Sequence, residues 1–198
     1  TANCRGTNFV HYYMWASDWN NDIRNAKHNI KRNFYFDNPA SVWDKKKINF
    51  KLYTNPVRSN LLLDTMKILF PVFMKFHDPC HYFLQPNRSG SGITHKDWYA
   101  LRFAETLLLR AEAYLGVNNK AAAAADINLV RARANAKPVA AADVTIDYIL
   151  DERARELYGE EFRLIILRRT NKLLERVLKY NDNPTAPGAY IKAHNVRW

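Results

Sequence analysis

Apolar and polar positions follow two different rules along this chain of 198 residues. From about Trp98 onward, apolar side chains recur at helical spacing, and before it they do not. Leu101, Leu108, Ala111 and Leu115 fall on one face, with Ala104 beside them, and predict a helix that Gly116 ends. Asn118 or Asn119 is suited to cap a second helix, which carries Ala121 through Ala125 and then Ile127 and Val130. The Ala run removes side-chain bulk, so the two helices can approach closely. A helix-turn-helix of about 34 residues with small residues at the contact has the form of a tetratricopeptide unit. Pro138 closes this pair. A third helix is expected from Thr145, as N-cap, to Tyr158, with Ile146, Ile149, Leu150, Arg153 and Leu157 on one face. Gly159 should break it. A single fourth helix then carries Phe162, Ile165, Ile166, Leu173, Leu174, Val177 and Leu178.

Residues 1–97 lack such a period. Aromatic residues, Asn and Asp alternate irregularly, as in Trp15-Ala16-Ser17-Asp18-Trp19-Asn20, and Asn38-Pro39 and Asn55-Pro56 signal turns. One helix is expected from about Asn60 to Phe70, stopped by Pro71. Arg88-Ser89-Gly90-Ser91-Gly92 reads as a loop. The expected fold class is therefore all-α: tetratricopeptide-like helical hairpins over 98–180 and long irregular loops over 1–97, in a single domain.

Composition adds four constraints. The chain is 47% hydrophobic and 25% charged, values ordinary for a globular protein and outside the range of disordered ones. Its net charge of +11 is uneven. Residues 1–97 carry 14 Lys and Arg against 7 Asp and no Glu, whereas residues 98–198 carry 16 against 12 acidic side chains. A basic half of this kind can attract anionic polymers or lipid headgroups. Cys4 and Cys80 are too few for a disulfide framework. No apolar run approaches the roughly 20 residues of a membrane-spanning helix.

Two strings of the helical part resemble the SusD/RagB family of outer-membrane nutrient-binding proteins. One is Arg102-Phe-Ala-Glu105 through Arg110-Ala-Glu112-Ala-Tyr114, followed by Asn128-Leu-Val-Arg131-Ala-Arg133-Ala134. The other is Ile149-Leu-Asp-Glu152-Arg153-Ala-Arg-Glu156-Leu157, followed by Gly159-Glu-Glu161-Phe-Arg163 and Leu167-Arg168-Arg169. Their order and spacing agree with the family pattern over about 80 residues. The strings His28 to Tyr35 and Lys96 to Tyr99 are similar to family segments as well. Members are usually several hundred residues long, begin with a lipoprotein signal and an N-terminal helical region, and commonly end in a short Pro-Ile-Pro segment. The chain, opening at Thr1-Ala2-Asn3 and closing at Trp198, is therefore expected to be the C-terminal part of such a protein. The resemblance implies a place at the cell surface beside a SusC-like TonB-dependent transporter. It implies a protein that holds an oligosaccharide or other nutrient, with no chemical step, no catalytic residue and no cofactor. Membrane contact is expected only through a lipid anchor that these residues do not include.

The recurrent charges have a physical reading of their own. Arg102 and Glu105 are three apart, and Arg153 and Glu156 repeat the spacing, so partners can meet along a helix. With Glu112, Glu152 and Arg163 they are expected to brace helix against helix. Trp15, Trp19 and Trp43 lie in polar sequence off any apolar period and are the candidate ligand platforms, since exposed indoles suit sugar rings; the alternative is that they pin loops to the helices. His77-Asp78-Pro79-Cys80-His81 contains metal-ligating types, but Pro79 interrupts a helix and no second ligand cluster follows, so no metal is expected. Nucleotide, nucleophile-elbow and zinc-protease motifs are missing. Two other functions fit the composition: a nucleic-acid or anionic-polymer module, although no recognition helix supports nucleic acid as a partner, and a helical protein-interaction scaffold.

Overall fold

The computed structural model describes residues 6–48, 70–77 and 97–180. They divide between two compact units. One comprises residues 6–25 and 99–180, and the other residues 26–48, 70–77 and 97–98. The expected helix at Asn60–Phe70, the 88–92 loop, both cysteines and residues 78–81 of the His-rich string lie outside the described residues, although Phe70 itself is non-helical.

The first unit is all-α. It contains α1 (Asn8–His11), α2 (Phe103–Gly116), α3 (Lys120–Arg133), α4 (Ile146–Glu156), α5 (Arg163–Arg169) and α6 (Leu173–Tyr180). Helices α2 and α3 form the tetratricopeptide-like hairpin. Leu107, Leu108 and Ala111 of α2 are buried against Ala123, Ala124, Ile127 and Val130 of α3. Val139, Val144, Ile149 and Leu157 complete this core. Each large apolar side chain fully buried here contributes roughly 1.5–3 kcal/mol. A second cluster of Leu150, Leu167 and Leu173 joins α4 to α5 and α6.

Helices end near Gly116 and Gly159 as the sequence predicts, with Gly159 at φ 74°, but asparagine makes the turn at other ends. Gly116 lies within α2, and the turn is made two residues later by Asn118, at φ 58°. The Asn119 and Asn118 amides donate to the Tyr114 and Leu115 carbonyls, so the last turn closes in a Schellman motif. Asn135 ends α3 in the same way, its amide and that of Ala136 bonding to Ala132 and Arg131. Asn171, at φ 55°, splits the expected single fourth helix into α5 and α6. There the Asn171 and Lys172 amides donate to the Arg168 and Leu167 carbonyls. Asn is one of the few residues besides Gly that visits left-handed backbone routinely, and this chain uses it at three helix ends. Helix starts follow expectation. Asn119 accepts from the Ala122 amide at 3.1 Å and Thr145 from the Tyr148 amide at 3.1 Å.

Two apolar assignments also change. Leu101 precedes α2 and is exposed, and Leu107 takes the core position. With the fourth helix split, Phe162, Ile165, Leu174 and Leu178 are exposed while Leu167 is buried.

Residues 6–25 are largely 3₁₀ turns, Tyr13–Asp18 and Ile23–Asn25, yet they bury Phe9, His11, Met14 and Trp15. The second unit has little regular structure among its described residues. Strands β1 (Ile30–Lys31) and β2 (Val72–Phe73) pair antiparallel, with Ile30 opposite Phe73. The Asn38-Pro39 turn forms, with the Ser41 amide on the Asn38 carbonyl at 2.9 Å.

Candidate functional site

Helix α4 places Glu152 and Glu156 one turn apart, so both carboxylates leave the same side of the helix. Glu152 is fully buried. Its Oε2 accepts from Arg131 Nη1 at 2.8 Å and Arg155 Nε at 3.0 Å, and its Oε1 lies 2.9 Å from Arg24 Nη1. Glu156 accepts from Arg102 Nη1 at 3.0 Å, Arg133 Nη2 at 2.5 Å and Arg24 Nη1 at 3.0 Å. Five guanidinium groups thus converge on two carboxylates. Asp22, Asp18 and Glu160 add the rest of the negative charge. Asp22 holds Arg24 through both oxygens at 2.9 and 2.7 Å, Asp18 lies 3.5 Å from Arg131, and Glu160 accepts from Arg102 Nε at 2.8 Å. Backbone groups are tied in as well. Arg155 donates to the Met14 carbonyl at 2.7 Å and Arg102 to the Glu156 carbonyl at 2.9 Å.

The electrostatics follow from this convergence. Burial alone would raise the Glu152 pKa. The charges of Arg155, Arg24 and Arg131 outweigh it and hold the carboxyl down at about 2. Burial likewise acts to lower the Arg24 pKa, but its bond to Asp22 and the charges of Glu152 and Glu156 raise it overall. A buried carboxylate locked in its ionised form cannot exchange a proton near neutral pH. The cluster therefore has the chemistry of a brace.

The remaining expected charges are paired between elements. Arg153 bonds Glu161 at 2.6 Å and approaches Glu105 at 3.5 Å. Arg169 grips Glu112 bidentately at 2.5 and 2.7 Å. Among the described residues Arg163 makes only a long 3.4 Å bond to Glu161. The three-residue pairs read along one helix are thus replaced. Arg102 is the extended N-cap of α2 and reaches Glu156 and Glu160 instead of Glu105. Sequence reasoning missed Asp18, Asp22 and Arg24, which sit in aperiodic sequence. It also missed Arg176, buried between Asp147 and Asp151 at 2.9 and 2.5 Å. A basic residue at a core position of α6, in register with Leu173 and Val177, was the available signal.

The three tryptophans fare differently. Trp15 is only 2% exposed and donates its indole N–H to the Val10 carbonyl at 2.9 Å. It offers no face to a ligand and is a core residue of the 6–25 segment. Trp19 is 43% exposed, in the helical unit. Trp43 is 45% exposed, in the other unit, with Phe36 6.1 Å away and Lys46 Nζ 5.2 Å from its ring. No group of three or more His, Cys, Asp or Glu among the described residues could hold a metal ion. No helix among them is long and apolar enough to cross a membrane.

A model of the SusD family matches residues 70–197, which include every helix from α2 to α6. The chain belongs to the SusD family. No match was found among curated proteins or solved structures. The SusD family consists of nutrient-binding proteins that work with transporters and are typically associated with the outer-membrane surface. Glu152, Glu156 and their arginines all fall within the matched residues except Arg24, so the brace belongs largely to the family-like part.

Proposed function

We propose that this SusD-family chain holds an oligosaccharide by stacking it on exposed aromatic rings and passes it to a SusC-like TonB-dependent transporter at the cell surface, without a chemical step. The observation that carries this reading is the family match together with half-exposed indoles at Trp19 and Trp43. An indole face of this kind buries a sugar ring at low entropic cost. The charged groups that could have done acid–base chemistry are committed to one another in the brace, which supports binding without catalysis.

A glycan array followed by calorimetry on Trp19→Ala and Trp43→Ala tests this. Loss of one stacking contact should weaken binding several-fold, on the order of 1 kcal/mol, with the melting curve unchanged. Binding that is unchanged in both variants would remove the aromatic platforms from the reading. An anionic-polymer module is the second reading, supported by the surplus of basic side chains in residues 1–97. It predicts affinity for anionic chains that falls steeply with salt.

A further inference from the structure

The helical unit contains a partly open cavity of about 390 Å³ with no role in the brace or the aromatic platforms. This is the size of small-molecule sites, which run from roughly 300 to 1,000 Å³. Its wall is apolar and aromatic: Phe9 from α1, Leu157 after α4, Leu167 from α5, and Val177 and Tyr180 from α6. The Phe9 and Tyr180 rings pack 4.1 Å apart. Three arginines and one carboxylate also line it. Arg176 is consumed by Asp147 and Asp151, whereas Arg153 is ion-paired with Glu161 and Glu105 and keeps a buried Nη1 without a hydrogen bond. Glu161, the only acid on the wall, is therefore already held at 2.6 Å by Arg153 when Arg163 meets it at 3.4 Å. Among the described residues that long bond is the only hydrogen bond of Arg163. Arg163 thus stands at an apolar cavity with most of its donor fork uncommitted. Burial, helped by the neighbouring Arg176, pushes its pKa down against the opposing pull of Glu161 and Asp151.

We infer that this cavity binds a small monocarboxylate with an apolar chain, its carboxylate taken by Arg163 and its chain lying between Phe9, Leu167, Val177 and Tyr180. A guanidinium matches a carboxylate bidentately, and the apolar wall supplies the burial that a free anion in water lacks. The mainly apolar wall favours an apolar chain over a ring that carries hydroxyls all round, so the ligand class differs from that of the aromatic platforms.

Calorimetry with octanoate, and with octanol as its neutral counterpart, tests the inference on the full chain. Octanoate should bind saturably at one site and at least tenfold tighter than octanol. Arg163→Gln should weaken octanoate by tenfold or more and octanol by less than twofold, and Ala154→Trp, which fills the cavity, should abolish both. Thermal melts accompany each variant. The octanoate–octanol comparison on the unaltered chain decides the charge preference even where a variant does not fold. Absence of saturable octanoate binding, equal affinity for octanol, or binding that survives in a folded Ala154→Trp variant would each overturn the assignment.

Discussion

Replacing Glu152 by Gln changes almost nothing in shape and removes one buried negative charge from among Arg24, Arg131 and Arg155. Its carboxyl titrates at about 2 in the folded chain against an ordinary value of 4.5. At about 1.4 kcal/mol per pH unit, that difference corresponds to roughly 3 kcal/mol of folding free energy at neutral pH. Removing one partner of a buried pair costs about 3–5 kcal/mol by a separate argument, since the surviving charges stay desolvated. Both figures are a large share of the 5–15 kcal/mol that holds a domain together. The sign of the pH dependence is fixed. The folded pKa lies below the unfolded one, so the contribution is complete above about pH 4.5 and is lost as pH falls toward 2. Urea unfolding followed by circular dichroism should therefore show Glu152→Gln weaker by about 3 kcal/mol at pH 7. The gap to the unaltered chain should narrow as pH drops below 4.5. Glu175→Gln, on an exposed pair with Lys172, should stay within about 0.5 kcal/mol of the parent. A loss below 1 kcal/mol at pH 7, or a gap that is the same at pH 7 and pH 3, would refute the reasoning.

Three further outcomes are expected. Arg102→Ala should lower stability by roughly 1–3 kcal/mol in the same assay, because Glu156 and Glu160 each lose a charged partner, and glycan affinity of the folded fraction should be unchanged. Asn171→Ala should cost about 1 kcal/mol and Asn171→Gly next to nothing by thermal melting, since only the backbone at φ 55° distinguishes them. Trp15→Ala should cost about 3–5 kcal/mol in urea through the cavity it opens, and a folded variant should bind glycans as before.

Legibility in the sequence tracked periodicity. The α2–α3 hairpin and the start of α4 could be read because Leu108, Ala111, Ala123 and Ile127 recur at helical spacing and Asn119 and Thr145 are cap residues. Helix ends were harder. Gly116 looked like a stop but has nothing within 4 Å of where a side chain would start, and it sits in ordinary helical backbone. Gly159, at φ 74°, does follow the end of α4 as read, but the other left-handed turns fall on Asn118, Asn135 and Asn171, a weaker signal in a chain rich in Asn. Charge pairing was legible as residues but not as partners. Spacing of three suggests pairs along one helix, whereas Arg102 and Arg153 reach other elements because their long side chains span the gap between packed helices. Asp18, Asp22 and Arg24 follow no period at all, and only the tertiary fold brings them to α4.

Placing so much charge inside the helical unit needs a reason, because a buried ion pair gains little over well-packed apolar side chains and often less. Residues 6–25 suggest what the charges do. This stretch is one short α-helical turn followed by 3₁₀ turns and has no long helical stripe with which to find its place on α3 and α4 by apolar packing alone. An apolar contact is non-directional, so Met14 and Trp15 could be buried in several registers. The ion pair of Arg24 with Glu152, and the hydrogen bonds from Arg24 to Glu156, from Arg155 to the Met14 carbonyl and from Lys137 N–H to Asp18 at 2.5 Å, admit one. Each shift of the segment by a residue would leave a buried guanidinium or carboxylate unpaired, at a cost of several kcal/mol. The brace thus selects a single arrangement of an irregular segment. It does so from one turn of α4, where Glu152 and Glu156 face Arg102 before α2, Arg131 and Arg133 at the end of α3, and Arg24 in the aperiodic stretch. That economy explains why two carboxylates four residues apart suffice to fix three otherwise separate elements.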